Sequence, residues 1–583
     1  MELPGLSARA AALGLALVLT LLGTGSVARA SSTTVASEPG APVLVTSQHT
    51  PPPGYRLTGV QVERVAVRVQ KIRAVLRRYP GAYPAQYTKG PGQWQVSWFT
   101  PKTEKEIAQV YVDDASAKVT QAWTGFQVAW TMARGYPGEF GRRTNAIYIW
   151  IPLCLLFLAP FFPWRRRPSL LHVDLLVLLA FSVSLAFFNH ALIGISVPLV
   201  YPFLLYLLAR MLLLAFGRGV PREPLRLLVP ASWLAVTIVF LVGFRVGLNV
   251  TNSNVIDVGY AGVIGADKVL HDKPLYGGWP HDNANGDTYG PVNYYAYVPA
   301  RAIFGWSGSW DDLPAAHAAA ILFDLLTLVG LYFLGRRIRG PTLGIVLAYA
   351  WACYPFTIFV LSSNSNDSLV AMLVVAAMLT LSSAPARGAC AALAAFTKLA
   401  PLALAPLFLR GASEHGWQRK RSLAAYVLAY AVAVLVVMAP VLLEGNLHRF
   451  WHDTVSYQAG RGSPFSVWGL WGALGSEQHA VQVLAALLAV VVAFFPRRRR
   501  TVVQVAALGA AVTIALQLGL THWFYLYIVW FFPLVIVALL GAHPERRAAS
   551  MAARRGRRGR RGRRGRRDRR PDTPAAELLP APT

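Results

Sequence analysis

Asp257 stands just beyond the exit of a long apolar run, near the start of a polar, aromatic-rich stretch, 249–313. A carboxylate at the mouth of a helix bundle, beside a loop able to cover it, is placed for chemistry at a membrane surface. The same stretch carries Asn252, Asn254, Tyr260, Asp267, His271, Asp287, Tyr289 and Asn293. Rings stack on pyranose faces while amides and carboxylates bond hydroxyls, so this mixture suits a sugar-handling surface. Further along, Lys398 falls inside an apolar run within Thr397-Lys398-Leu399-Ala400-Pro401, and Arg461 falls in the Gly-rich segment Gly460-Arg461-Gly462. An ionisable residue at membrane depth is functional by default, and arginine grips phosphate with two donors.

Each of these residues has a plainer reading. Asp257 is also a fitting N-cap for a helix starting near Val258. Lys398 can snorkel to an interface, and Arg461 can be an ordinary solvated charge. Asp367 is placed to cap the span that follows it. His522, beside Trp523 and Tyr525, fits an interfacial aromatic belt, as do the Trp and Tyr residues of 276–310. Asp174 and Asp324 lie within apolar runs, where a carboxylate is expected to pair internally.

The elements that must position these groups are helices in a bilayer. With 55% apolar and 14% charged residues, the chain cannot be arranged around one ordinary soluble core. Apolar runs of membrane length are read at 146–163, 170–188, 195–216, 227–247, 314–335, 341–361, 368–383, 388–409, 422–443, 480–495, 501–520 and 523–541. The fold class expected is therefore an all-α polytopic membrane protein with a small α+β extracytoplasmic domain. Arg9, the apolar run Ala10–Leu22 and the small-residue end Ala28-Arg29-Ala30 read as a signal peptide over 1–30. Residues 31–145 then form the exported domain, with a basic amphipathic stretch at Val60–Tyr79 and strand-like alternation in Gln93–Phe99 and Glu106–Val112.

Basic clusters at Arg165–Arg167, Arg218–Arg226, Arg336–Arg339, Arg419–Arg421 and Arg497–Arg500, and in the C-terminal tail, should face the cytoplasm. Simple alternation fails at Arg419–Arg421. The conflict resolves if 388–409 is a re-entrant hairpin turning at Thr397–Pro401, giving about eleven crossings in all. External segments are then 31–145, 249–313, 444–479 and the short turns Asn189–Gly194, Ser362–Asp367 and Thr521-His522.

Four segments carry a resemblance. They are Asp257 with Gly259-Tyr260, Pro274-Leu275-Tyr276 and Tyr289-Gly290-Pro291; Asn364-Ser365-Asn366-Asp367; Thr397–Pro401; and Tyr457-Gln458-Ala459-Gly460-Arg461-Gly462-Ser463-Pro464-Phe465-Ser466. In this order the chain resembles the C-type glycosyltransferase superfamily, and within it glycosyltransferase family 87, over about 230–541. The resemblance implies transfer of a sugar, mannose by family likeness, from a polyprenyl-phosphate donor to a lipid or glycan acceptor on the outer face. It implies Asp257 as the catalytic base and positive charge, from Lys398 and Arg461, at the leaving phosphate. Asp267, Tyr260, Tyr289, Asn364, Asp367, Tyr457 and His522 complete the expected substrate contacts. It requires no nucleotide and leaves a divalent metal ion open, with Asp267 as the nearest second carboxylate. The chain departs from the superfamily pattern in having four spans before the acidic loop, so 146–226 reads as an appended module and 227–541 as the core. The exported piece resembles PepSY-like domains through Trp94-Gln95-Val96, Val110–Asp114 and Val119–Gly125.

The net charge of +29 invites a nucleic-acid reading, but the Arg-Arg-Gly repeats sit in the tail, 542–583, directly after the last span. There each basic residue gains roughly 1 kcal/mol from anionic lipid, so the partner expected is membrane lipid and not nucleic acid. Cys154, Cys353 and Cys390 all lie in apolar runs and imply no disulfide framework. Two other classes remain: a lipid or sugar transporter, which should show paired repeats and broken helices, and a membrane scaffold, which needs no polar hairpin. An enzyme requires Asp257, Lys398 and Arg461 to converge, whereas a scaffold lets them point apart.

Overall fold

The computed structural model describes residues 42–135, 140–162, 169–411, 416–496 and 500–544. The expected signal peptide and the basic repeats of the tail lie outside these residues. The chain divides into two compact units, 1–131 and 132–583.

In the first unit, Thr58 caps a helix, α1 (Gly59–Val67), through a capping box with Gln61: each side chain takes the other's backbone N–H. The helix breaks at Arg68-Val69 and resumes as α2 (Gln70–Arg78), so the expected amphipathic stretch is two helices. Five antiparallel strands, one before the helices and four after them, form a sheet in sequence order: β1 (Val43–Leu44), β2 (Tyr83–Thr88), β3 (Gln93–Phe99), β4 (Glu106–Asp113) and β5 (Val119–Thr124). The alternation read at 93–99 and 106–112 is this β3–β4 pair, in which Trp94 faces Val112 and Val96 faces Val110. Their inward side chains, with Trp98, pack on Val62, Ala66 and Ile72 of the helices. Asp114 closes the end of this core, accepting from Trp94 Nε1 at 2.9 Å and from the Arg56 and Leu57 backbone N–H groups.

The second unit is helical. Among the described residues, six helices are long and apolar enough to cross a membrane. They are α4 (Leu170–Asn189), α5 (Ile193–Ala215), α6 (Ala231–Thr251), α9 (Pro314–Cys353), α13 (Gly416–Leu443) and α14 (Gly475–Phe494). Shorter apolar helices are α3 (Ile147–Leu158), α11 (Asp367–Leu379), α15 (Val502–Leu518) and α16 (Ile528–Gly541). Within α9, Arg339 and Gly340 leave helical geometry, so the runs expected at 314–335 and 341–361 join through a kink. The second run then breaks at Tyr354 and continues as α10 (Pro355–Ser362), with Pro355 at its first position. Buried charges in the spans are paired, as apolar surroundings demand. Arg245 Nε bonds Asp324 Oδ2 at 3.2 Å while Trp351 donates to Oδ1, and Arg210 Nε bonds Asp174 at 3.0 Å.

The stretch 249–313 is not an extended loop. It holds α7 (Asp257–Leu270) and α8 (Pro291–Phe304), packed side by side. The reason lies in two glycines: a Cβ on Gly262 would stand 2.6 Å from the Tyr297 ring, and one on Gly265 would stand 2.1 Å from that of Tyr294. Both rings lie directly on the α7 backbone. Tyr260, Ile264, Tyr297, Phe323 and Leu369 then share one core.

The segment expected to turn back does so. α12 (Ala384–Ala395) ends at Phe396, Thr397–Leu399 is non-helical, and a short helical return runs over Ala400–Phe408. Arg387 Nε near the start donates to Phe408 O at 2.7 Å, so the two limbs close on themselves.

Candidate functional site

The turn of this hairpin is pinned by Tyr289-Gly290-Pro291. Gly290 N donates to Thr397 O at 3.2 Å and Val292 N to Phe396 O at 3.1 Å. Only glycine fits, since a Cβ on Gly290 would lie 1.9 Å from Phe396 O. Backbone thus meets backbone, and Tyr289 and Lys398 are delivered to the same place. Lys398 Nζ lies 2.6 Å from Asp367 Oδ1. It is surrounded by rings, with centroids at 5.6 Å for Tyr289, 5.5 Å for Tyr527 and 5.2 Å for Trp530.

Asp367 begins α11, but Asn366 is its N-cap residue and no side-chain cap bond is made. Its carboxylate instead accepts from Lys398 and from Trp530 Nε1 at 2.8 Å on Oδ1, and from Ser365 Oγ at 2.7 Å on Oδ2. The capping reading is replaced by an ion pair. Asn364 holds the preceding turn with φ of 50°, a conformation asparagine tolerates. Its amide joins Asn249 Nδ2, Ser253 Oγ and Asn254 O, so it fastens the turn to the end of α6.

Asp257 is likewise not an N-cap. Ile256 occupies that position without a side-chain bond, and Asp257 is the first helical residue, where its charge favours the helix dipole. Gly259 lets this turn approach the core, because a Cβ there would meet Asn364 O at 2.2 Å. Asp257 keeps solvent-accessible surface although protein packs closely around it. Burial raises its carboxyl above the ordinary range; the Val258 N–H, Arg461 and Lys398 pull it back, and Asp367 pushes it up. Asp257 therefore senses Arg461, Lys398 and Asp367 together.

Arg461 follows a single helical turn, Tyr457–Gly460, and its field also reaches Tyr289 and His522. His522 Nδ1 stands 2.9 Å from Ser463 Oγ, tying the Arg461 segment to the connection before α16. Burial, then Arg461 and Lys398, depress the His522 pKa to about 3, so the imidazole is neutral. Burial and the nearby Asp257 carboxylate raise the Tyr289 phenol, which stays protonated.

Of the residues read from the sequence, Asp257, Tyr289, Asp367, Lys398, Arg461 and His522 come together. Asp267 does not: ten residues further along α7, it lies about 15 Å away along the helix axis and pairs with Arg301 at 2.7 Å. Asp257 and Asp267 therefore cannot share one ion, and no group of three or more His, Cys, Asp or Glu residues among those described is arranged for a metal. Tyr260 is packed against Trp310, with ring centroids 5.1 Å apart, and donates to Asp282. Tyr457 makes no hydrogen bond to the cluster among the described residues. Trp530 and Tyr527 were not foreseen. The available signal was an indole N–H within an apolar run, which needs an acceptor.

The family model of glycosyltransferase family 87 matches residues 288–521, a stretch holding Tyr289, Asn364, Asp367, Lys398, Tyr457 and Arg461. Over residues 288–521 the chain is similar to glycosyltransferase family 87. The match points to a membrane glycosyltransferase, and the matched segment contains both halves of the Lys398–Asp367 pair but neither Asp257 nor His522. No curated protein matches the chain.

Proposed function

We propose that the chain transfers a sugar, mannose by family likeness, from a polyprenyl-phosphate carrier to a lipid or glycan acceptor at the outer membrane face. The acceptor hydroxyl attacks the anomeric carbon, the bond from that carbon to the phosphate oxygen breaks, and the phosphate leaves with the electron pair. Asp257 takes the hydroxyl proton. A carboxyl raised by burial is better matched to that task than an ordinary one. Arg461 and Lys398 meet the charge left on the phosphate, while Asp367 and the three rings hold Lys398 in place. Neutral His522, protonated Tyr289 and their neighbours offer hydrogen bonds to sugar hydroxyls without adding charge. In this reading the first unit is an exported binding module, the N-terminal side is extracytoplasmic and the basic tail rests on cytoplasmic lipid.

One relationship carries the reading: Asp257, which keeps solvent-accessible surface, lies within electrostatic range of both Lys398 and Arg461. The test is sugar transfer from radiolabelled polyprenyl-phosphate mannose to a total lipid extract, in membranes bearing the chain or Asp257→Asn at equal expression. Transfer by the first alone supports the reading and its base. Transfer surviving the substitution keeps the enzyme and discards Asp257, and no transfer from any polyprenyl-phosphate sugar discards the enzyme.

A further inference from the structure

The first unit carries an unbalanced charge array that the sugar-transfer reading does not use. Between Gly59 and Arg78, helices α1 and α2 and the break between them carry Arg64, Arg68, Lys71, Arg73, Arg77 and Arg78, all exposed, against the single carboxylate Glu63. Glu63 is occupied by Gln86 Nε2 at 2.8 Å. None of the six cations is ion-paired among the described residues; Lys71 lies over the Trp123 ring and Arg78 over that of Tyr79. The opposite sides of the helices bury Val62, Ala66 and Ile72 in the sheet core, so the cations share the outward side. Arg73 and Arg77 stand four residues apart on α2, where like charges destabilise a helix. An array that opposes its own helix is relieved by an anionic surface.

The chain leaving this unit reaches Gly135, where a Cβ would lie 2.6 Å from Ala191 N and 3.0 Å from Asn189 O, in the turn between α4 and α5. Those are two membrane-length helices, so the leash to the bilayer is a few residues long. We propose that the arginine face of α1 and α2 docks on anionic lipid headgroups of the membrane in which the chain is embedded. A tethered surface needs no affinity to be captured from solution, only enough charge to hold an orientation.

The test uses the full chain in nanodiscs, with a donor dye at the exposed position Ala74, introduced through an unnatural amino acid, and an acceptor dye on lipid headgroups. Discs of phosphatidylcholine alone are compared with discs containing phosphatidylglycerol. Energy transfer should be higher in the anionic discs and fall with salt. It should also fall in an Arg64→Gln, Arg68→Gln, Arg73→Gln, Arg77→Gln variant, the docking equilibrium shifting roughly fivefold per charge removed. If the fourfold variant misfolds, the single substitutions should give graded shifts of the same sign. Energy transfer indifferent to lipid charge and to the substitutions overturns the proposal in favour of an ordinary solvated face. Energy transfer that ignores lipid charge yet responds to soluble polyphosphate overturns it in favour of a soluble anionic polymer. Sugar transfer is not read in any arm, so failure here leaves the enzyme reading untouched, and the reverse holds as well.

Discussion

Lys398 and Asp367 form a buried ion pair, 2.6 Å from Nζ to Oδ1, borne by two segments that each interrupt regular helix. Removing one charge strands the other. Lys398→Met should therefore cost about 3–5 kcal/mol of stability, whereas Lys398→Met with Asp367→Asn should recover most of that loss. Thermal melts of the purified chain measure the first part. Transfer assays complete the cycle: both variants should be inactive, because the cation is absent in each.

Asp257→Asn should abolish transfer and raise the melting temperature at neutral pH. The sign follows from burial. The folded carboxyl titrates above its unfolded value, so folding takes up a proton between the two values and stability falls as pH rises through that window. Above the window the penalty is constant, and asparagine never incurs it. Transfer by the unsubstituted chain should rise with pH as Asp257 ionises, and a stability gain that is absent at neutral pH would contradict the buried carboxyl.

His522 has the opposite dependence. Its folded pKa is about 3, below the unfolded histidine value, so its neutral form stabilises the fold above about pH 6.5 and that contribution is lost as pH falls towards 3. Melts taken from pH 7 to pH 4 should show acid destabilisation that His522→Gln blunts.

Gly290→Ala places a methyl 1.9 Å from Phe396 O, with backbone on both sides and nothing flexible to yield. The expected cost is about 1–3 kcal/mol, in the range of overpacked cores, with loss of transfer as Lys398 moves. Gly460→Ala, at a glycine with open space around its Cβ position, should leave stability unchanged and serves as the control.

Much of this arrangement was legible in the sequence. Strict alternation marked β3 and β4, a lysine inside an apolar run marked the hairpin turn, and the polar segments around Asp257, Asn364 and Arg461 marked the ends of helices. What was not legible depended on long-range packing. The start of α7 near Val258 was legible but α8 read as loop because small and aromatic residues dominate the stretch, and only the contact of Tyr294 with Gly265 and of Tyr297 with Gly262 makes those residues a helix interface. Asp267 looked like a second carboxylate because it is near Asp257 in sequence, but ten residues of helix separate the two. Trp530 and Tyr527 were lost in an apolar run, since hydropathy does not distinguish a ring that faces lipid from one that faces a lysine.

The hairpin's dimensions bear on how the protein is made. α12 has only 12 residues and its returning limb is shorter still, neither long enough to be retained in a bilayer as a span. The insertion machinery can commit the longer helices to lipid first, leaving this segment to be folded in afterwards between α11 and α13. In the folded chain the Lys398 ammonium is met by the Asp367 carboxylate, so the finished hairpin leaves no lone cation at its tip.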